Sequence, residues 1–434
     1  MDSGSLKKAL LLAGGKGTRL NALTNGELPK PMVEIGGKPL ILHAIERLKE
    51  YGIDELYLSV GYMREKIIDY FGNGSKFGVV IKYIIENEPL GSGGAMYYLK
   101  GEVKEPFLIC PADVVFDLDF NKMSAYHFVK GSLITLFAHP NSHPYDSDLI
   151  ETDDEGKDIG IVKKNVERTS FYRNLTNAGI FIVSPEALGY FTEPKFTNIE
   201  HDFLTHFIPS GKVFCYRSPE YVKDVGTPER FFSAEKDLFS GKVAARNLKN
   251  KQKAIFLDRD GTLNVYKGFI KNAEDIELLP NVTEAIKLIN ESGYLAIIIS
   301  NQPVVARGDC SYKDVDECFF KIETLLGKEG AFIDGIYYCP HHPDSGFEGE
   351  RKELKFECDC RKPKIGLIKR AEKDFNLDLQ KCAIGGDSNV DVLTGKNAAI
   401  KTVLLTTGKK EEIASSPDII TDDILKAVKQ LVGV

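Results

Sequence analysis

The 434-residue chain contains no run approaching the ~20 consecutive apolar residues that a membrane-spanning helix requires, so no span is predicted. Basic residues are not in excess: 56 Lys and Arg stand against 63 Asp and Glu, a net charge of −7. That balance gives no reason to expect a nucleic acid or a membrane surface as partner. Internal repeats and low-complexity tracts are also lacking, which excludes a repeat array. The opening MDSGSLKKALLLAGG has an apolar stretch too short for a secretory leader, and it runs straight into a glycine loop, so it reads as a first strand. The cytoplasm is the expected compartment. What is present is ordinary for a globular protein, 43% hydrophobic and 27% charged residues. The length exceeds what one core usually supports, and two or three domains are predicted.

Apolar runs alternate with amphipathic segments along the first part, the pattern of an α/β sheet. Predicted strands are Lys8–Leu12, Leu56–Val60, Ile81–Ile85, Phe107–Cys110, Leu133–Ala138 and Gly179–Val183, with helices at Ile41–Tyr51 and Arg64–Phe71. A further helix is expected from Pro228 to Phe239, capped by Thr227 and ended by Gly241. Residues 242–252 are basic with little that could join a core, and read as a linker between a first domain, 5–241, and a second, 253–434. The second again alternates. Strands are expected at Ala254–Leu257, Leu295–Ile299, Ile333–Tyr338, Cys382–Ile384 and Thr402–Leu405, and helices at Val282–Ser292, Tyr312–Leu326 and Ile365–Phe375.

The first strand leads into Ala13, Gly14, Gly15, Lys16, Gly17, Thr18 and Arg19. Three glycines let backbone N–H groups approach a phosphate chain, and Arg19 and Lys16 supply charge. The spacing fits neither the P-loop nor the dinucleotide fingerprint. Lys30 follows between two prolines that fix its backbone.

GGxGTRL, then PKPM and GGKPLI, resemble the sugar-1-phosphate nucleotidyltransferase family from about Lys8 to Phe239. The resemblance implies a Rossmann-like sheet with magnesium on Asp113 and Asp224, Gly93 and Gly94 in the loop near base and sugar, and Asn177 and Gly179 on the sugar-binding strand. It places Lys164, or its rival Lys163, near the sugar phosphate. The family's Gly-Asp is Ala112–Asp113 here; Asp117 and Asp119 follow closely and read as solvated loop acids. The implied reaction is displacement at the α-phosphorus of a nucleoside triphosphate, with Arg19 holding the leaving pyrophosphate and Lys30 the reacting phosphates.

In the second part, Asp258 and Asp260 emerge one residue apart at the end of an apolar strand, where open α/β sheets place their chemistry. One acid can attack phosphorus while the other shuttles a proton. DxDGT at 258–262 resembles the haloacid dehalogenase superfamily of phosphatases, again Rossmann-like. The resemblance implies phosphate contacts from Ser300 and Asn301, cations at Arg361 and Lys362, and magnesium on Asp258, Asp387 and the Asp260 carbonyl.

Cys339, His341, Cys358 and Cys360 supply three thiolates and one imidazole, a set suited to structural zinc on a loop without its own core. His342 is the rival to His341, and a disulfide the alternative to metal. The remaining cysteines are scattered and read as small buried hydrophobes.

DRDGTLN, SNQxxxARG with Arg307, CPHHP and CDCRKP together resemble the heptose 1,7-bisphosphate phosphatases and their relatives the histidinol-phosphate phosphatases. Pro303 departs from the family's usual small polar residue. Ser388 stands where many members have lysine, leaving Lys362, Lys364 or Lys396 to compensate. The pairing of the two resemblances implies a two-domain α/β enzyme using GTP and heptose phosphates to make GDP-heptose, with D-glycero-α-D-manno-heptose 1,7-bisphosphate as phosphatase substrate. The alternatives are a mannose-1-phosphate guanylyltransferase joined to a phosphatase for another metabolite such as histidinol phosphate, and a non-catalytic nucleotide-sugar-binding domain attached to a phosphatase.

Overall fold

The computed structural model describes residues 6–15, 20, 26–153, 156–346, 348–408, 412 and 416–434, with the side chain of Ile159 left aside. The chain divides into two compact units. The first comprises the described residues of Met1–Ala138, Ile150–Val162 and Asn177–Asn247; the second comprises His139–Leu149, Lys163–Thr176 and Leu248–Val434.

Strands through the first stretch are β1 (Lys8–Ala13), β2 (Glu34–Ile35), β3 (Lys38–Pro39), β4 (Glu55–Val60), β5 (Val80–Ile85), β6 (Phe107–Pro111), β7 (Val114–Asp117), β8 (Ile134–His139), β9 (Leu149–Thr152), β10 (Asp158–Val162), β11 (Thr176–Val183), β12 (Val213–Arg217) and β13 (Tyr221–Asp224). The main sheet runs β10-β9-β11-β6-β1-β4-β5, with β8 beside β11 and β12 beside β8. β1 pairs in parallel with both β4 and β6, while β11 runs antiparallel to β6. The strand order reverses between β1 and β6, so their carboxyl ends open the crevice where such sheets bind ligands. β1, β4 and β6 are nearly continuous apolar runs because both faces are covered.

The expected helices form at Leu40–Glu50, Arg64–Phe71 and Pro228–Phe239. The last is capped by Thr227, whose hydroxyl accepts from Arg230 N–H, and Gly241 follows it at φ +75°.

The second unit adds β14 (Lys253–Leu257), β15 (Tyr294–Asn301), β16 (Gly335–Cys339), β17 (Ala383–Gly386), β18 (Lys401–Leu405) and β19 (Ile419–Thr421). They form one parallel sheet in the order β16-β15-β14-β17-β18-β19. In chain order this is 3-2-1-4-5-6, a Rossmann arrangement whose switch point lies between β14 and β17. Helices Val282–Glu291 and Tyr312–Lys328 bury their apolar sides in one core with Ile255, Ile298 and Val403.

Two differences from the sequence expectation concern organisation. The segment read as a linker is packed. Lys242–Ala245 is helical, Val243 joins a cluster with Leu40 and Phe231, and Leu248 joins another with Phe256 and Leu295. Asn247 is buried and donates to Asp117 at 2.7 Å. A basic composition hid three residues that each find a core or a hydrogen-bond partner. Second, His139–Leu149 and Lys163–Thr176 group with the second unit. There Tyr172 N–H donates to Thr324 Oγ1 at 3.0 Å, and Lys321 Nζ lies 4.1 Å from the Phe171 ring centroid.

Two candidate active sites and a candidate metal centre

In the first unit, Pro29 and Pro31 hold Lys30 in a short 3₁₀ turn that buries it. Its ammonium donates to Asp113 Oδ2 at 2.7 Å and to Asp224 Oδ1 at 3.1 Å. Asp113 stands two residues beyond the end of β6, at the switch point. Asp224 arrives on the β7–β13 ribbon, whose antiparallel register sets it opposite Val114 and so beside Asp113. Arg230, on the following helix, donates to the other Asp224 oxygen at 3.1 Å. Burial alone would raise the Asp224 carboxyl, but Lys30 and Arg230 outweigh it and hold the group below its ordinary range. Gly14 cannot be enlarged, since a Cβ there would meet Glu86 Oε1 at 2.7 Å, and that carboxylate accepts from the Ser59 hydroxyl and Leu90 N–H.

In the second unit, Asp258 follows β14 directly and Asp387 follows β17, the two strands flanking the switch point. Their oxygens, with one from Asp391, lie within 4.8 Å of one another. Lys362 reaches into this group, 2.8 Å from Asp258 Oδ1 and 2.5 Å from Asp391 Oδ1. Asn301 fixes that lysine by its backbone, accepting from Lys362 N–H at 3.0 Å and donating to its carbonyl at 3.1 Å.

Burial, with Asp391 and Asp260 nearby, pushes Asp258 up to about 6 against the pull of Lys362. Burial with Asp258 and Asp391 lifts Asp387 to about 7. Lys362 is held above its ordinary value: burial works against its charge, but the two carboxylates outweigh it. Three acids facing one ammonium leave negative charge uncompensated, and Asp258 Oδ1 takes no well-aligned hydrogen bond despite its burial. Both observations fit a divalent cation. Gly261 and Gly408 belong to the same construction, because a Cβ on either would overlap Asp387 Oδ2.

Asp260 is held apart from this cluster. Arg259 Nη2 donates to its Oδ2 at 2.8 Å, Asn264 to Oδ1 and Gln302 to Oδ2, each at 3.1 Å. Gln302 also donates to Ser300 Oγ at 2.9 Å, which ties Ser300 to the same network.

Cys339, His341, Cys358 and Cys360 converge at the end of β16. Cys360 Sγ lies 3.2 Å from Cys339 Sγ, 3.4 Å from Cys358 Sγ and 3.2 Å from His341 Nδ1. A zinc tetrahedron with Zn–S bonds of about 2.3 Å has sulfur–sulfur edges of about 3.8 Å, close to this spacing. No disulfide joins cysteines among the described residues, so the disulfide alternative is not adopted. His342 is outside the set; its Nδ1 accepts from Asp344 N–H at 3.1 Å.

Comparison with known proteins bears on both units. The nucleotidyl transferase family model matches residues 8–241, and a HAD-hydrolase-like model matches 359–428. The chain is 37% identical over 183 residues to the D-glycero-beta-D-manno-heptose-1,7-bisphosphate 7-phosphatase of Haemophilus ducreyi, covering 42% of this chain and 97% of that protein. The chain belongs to the nucleotidyl transferase family in its first part and to the HAD-type phosphatases in its second. It is 32% identical over 232 residues to a mannose-1-phosphate guanyltransferase of Debaryomyces hansenii, covering 52% of this chain and 63% of that protein. It is also similar to the crystal structure of HddC from Yersinia pseudotuberculosis, at 28% identity and a TM-score of 0.46, covering 54% of this chain and all of that one.

The nucleotidyl transferase unit brings together Lys30, Asp113 and Asp224 from the sequence-derived set. Lys16, Gly17, Thr18 and Arg19 lie outside the described residues. Gly93 and Gly94 have a packing reason: a Cβ on Gly94 would strike Lys195 O, and Gly93 N–H donates to Thr197 O at 2.8 Å. Asn177 donates to Glu200 at 2.7 Å, and Gly179, at φ +73°, abuts Pro111. Lys164 groups with the second unit, where its N–H donates to Asp148 at 2.8 Å. Asp117 and Asp119 are not solvated. Asp117 is buried against Asn247 and Arg47, and Asp119 caps the helix Phe120–Lys130.

In the phosphatase unit, Arg361 turns away from the acids and donates to His341 O at 3.2 Å. Arg307 pairs with Asp309 at 2.8 Å over the Phe269 ring. Lys362 is the cation among the acids, whereas Lys364 pairs with Glu357 and Lys396 with Asp418. Asp391 was missed as a site residue. It is the second acid of GDSNVD, and it also closes a capping box with Ser388, which explains a serine at that position. No helix among the described residues is long and apolar enough to cross a membrane.

Proposed function

We propose that the chain removes the 7-phosphate of D-glycero-D-manno-heptose 1,7-bisphosphate in one unit and joins the resulting heptose 1-phosphate to GTP in the other, giving GDP-heptose and pyrophosphate. The observation that carries this reading is the presence of two separate carboxylate–lysine clusters, each at the switch point of its own Rossmann-like sheet. Likeness to a heptose bisphosphate phosphatase and to a guanyltransferase supports the substrates. The product of one reaction is the acceptor of the other. The phosphatase relative is named for the β-anomer, whereas the sequence expectation was the α-anomer, so both anomers belong in the assay.

In the phosphatase reaction, an Asp258 oxygen attacks phosphorus as the P–O ester bond breaks. Asp260 gives its proton to the departing sugar oxygen. Asp260 then takes a proton from water, whose oxygen attacks the aspartyl-phosphate and releases phosphate and Asp258. Lys362, held by Asn301, and Ser300 would contact the phosphoryl oxygens. Asp258, Asp387 and the Asp260 carbonyl would hold magnesium, joined by Asp391; the cation would offset charge between an anionic nucleophile and an anionic substrate.

In the transfer reaction, the sugar phosphate oxygen attacks the α-phosphorus and pyrophosphate leaves. Asp113 and Asp224 would hold magnesium, Lys30 would lie against the reacting phosphates, and Arg19 would hold the leaving group. Gly93 and Gly94 would lie near base and sugar, and Asn177, Gly179 and Lys164 near the sugar phosphate. In the phosphatase unit Arg307 would contact substrate and Arg361 would support Lys362. Zinc on Cys339, His341, Cys358 and Cys360 would brace the loop carrying Arg361 and Lys362. Eight cysteines with no disulfide among the described residues suit a reducing compartment such as the cytoplasm.

The test is incubation of the full chain with each bisphosphate anomer, GTP and magnesium, reading phosphate and pyrophosphate separately. Phosphate first, then pyrophosphate dependent on GTP, is expected. A second reading is favoured by the guanyltransferase relative, which is named for mannose 1-phosphate. Faster pyrophosphate release with mannose 1-phosphate, or faster phosphate release from histidinol phosphate, would replace the heptose assignment.

A further inference from the structure

Arg259 stands between the two acids of the phosphatase motif and is fully buried, 0% exposed. A buried guanidinium is costly unless a carboxylate matches it. Its partner is its own neighbour: Nε lies 3.1 Å from both oxygens of Asp260, and Nη2 lies 2.8 Å from Oδ2. The guanidinium thus meets the carboxylate side-on, a planar fork that fixes orientation as well as distance. Behind it the Phe319 ring lies 5.4 Å from Cζ and backs the clamp with an aromatic wall. Nη1 finds no hydrogen-bond partner among the described residues, although the residue has no access to water. A group placed only to fill this core would not need a charge. The cost of its burial is explained if the charge serves Asp260.

The local chain agrees. Arg259 O accepts from the N–H groups of Leu263 and Asn264, at 2.9 and 3.1 Å, folding the loop back on itself. Asn264 and Gln302 then complete the donors around Asp260.

We propose that Arg259 is a positioning residue that holds Asp260 in the orientation from which it exchanges a proton with the leaving sugar oxygen and with the attacking water. It touches neither substrate nor phosphorus and acts entirely through its neighbour. The inference rests on the proton-shuttling role proposed above for Asp260.

The test is a double-mutant cycle in the full-length protein, reading phosphate release from heptose 1,7-bisphosphate. Arg259→Met is expected to lower kcat about 10²-fold with KM little changed, on the order of the loss when a general acid–base group is misplaced. Arg259→Lys, which pairs with one oxygen instead of two, is expected to recover about a tenth to a half of the wild-type rate. The combined Arg259→Met/Asp260→Asn protein is expected to be no slower than Asp260→Asn alone, because the arginine has nothing left to position. Circular dichroism and the thermal unfolding transition report in each variant that the unit carrying Arg259 remains folded, because pyrophosphate release reads the other unit. If Arg259→Met does not accumulate as folded protein, Arg259→Lys takes its place in the cycle.

Multiplied losses in the combined variant would make Arg259 a general support of the site and overturn the proposal. So would an unchanged rate in Arg259→Met. Full activity in Asp260→Asn is a different failure, since it removes the acid–base assignment itself.

Discussion

Replacing Lys30 with methionine keeps the length of the side chain and removes the ammonium that Asp113 and Asp224 share. Two charge-assisted contacts are lost, each of the kind that contributes about 1.5–3 kcal/mol when well shielded. The lysine side chain is 7% exposed, but its partners are 36% and 40% exposed, so water screens part of the interaction. A net loss of about 2–3 kcal/mol is expected after that discount. For a unit of this size that lowers its melting transition by about 5–10 °C.

The sign with pH follows from Asp224, whose carboxyl is held below its ordinary value of 3.8. Its contribution is complete at neutral pH and disappears as the pH falls through the depressed value. The gap between wild type and variant therefore closes only in acid, below about pH 4. Magnesium gives a second handle. The variant leaves two carboxylates without their shared cation, so millimolar magnesium should restore its transition more than it raises that of the wild type. Pyrophosphate release should fall about 10²–10³-fold, as when one preorganised donor is removed from a charged transition state. Phosphate release from the bisphosphate should not change. Calorimetry at neutral and acid pH, with and without magnesium, beside the two product assays, checks these points. A variant with wild-type melting and a wild-type rate of pyrophosphate release would refute the view that Lys30 is the shared counter-charge of this site.

Asp258→Asn should abolish phosphate release from the bisphosphate and leave intact the pyrophosphate release from GTP when heptose 1-phosphate is supplied directly. Removing metal from the thiolate set by chelation, or replacing Cys360 with serine, should lower phosphatase activity at least tenfold before transfer is touched; metal content by emission spectroscopy should fall from about one zinc per chain. Gly408→Ala should displace the Asp387 carboxylate, since the new Cβ would occupy its oxygen position. Phosphatase activity should drop by about 10²-fold, in line with small displacements at reacting centres, with an apparent magnesium requirement that rises in a titration.

Much of this arrangement was legible where chemistry and local pattern coincide. The apolar runs that become β1 and β14 lead directly into Gly14 and Asp258, so strand, switch point and functional group share one short string. Lys30 was marked by its flanking prolines, and the candidate metal centre by its three cysteines and one histidine. Asp391 was harder to see because its side chain does two things, closing a helix cap and pairing with a lysine 29 positions away. The reason for Gly94 is a backbone approach from Lys195, which no local pattern reports. Composition misled at 242–252, where a basic surface conceals Val243 and Asn247. It misled again at Asp117, an acid that looks solvated until the distant Asn247 meets it.

The spacing between Asp258 and Asp387 is governed by β14 and β17, whose rungs run Ile255 to Ala383, Phe256 to Ile384 and Leu257 to Gly385. Neighbouring strands stand about 4.8 Å apart wherever their amides are joined. The gap between the Asp258 and Asp387 carboxylates is therefore ruled by the peptide ladder, a gauge that does not change with the side chains around it. Substitutions in the surrounding oily layer should erode the melting point long before they detune the chemistry, which leaves this half of the molecule room to vary its interior while keeping its reaction.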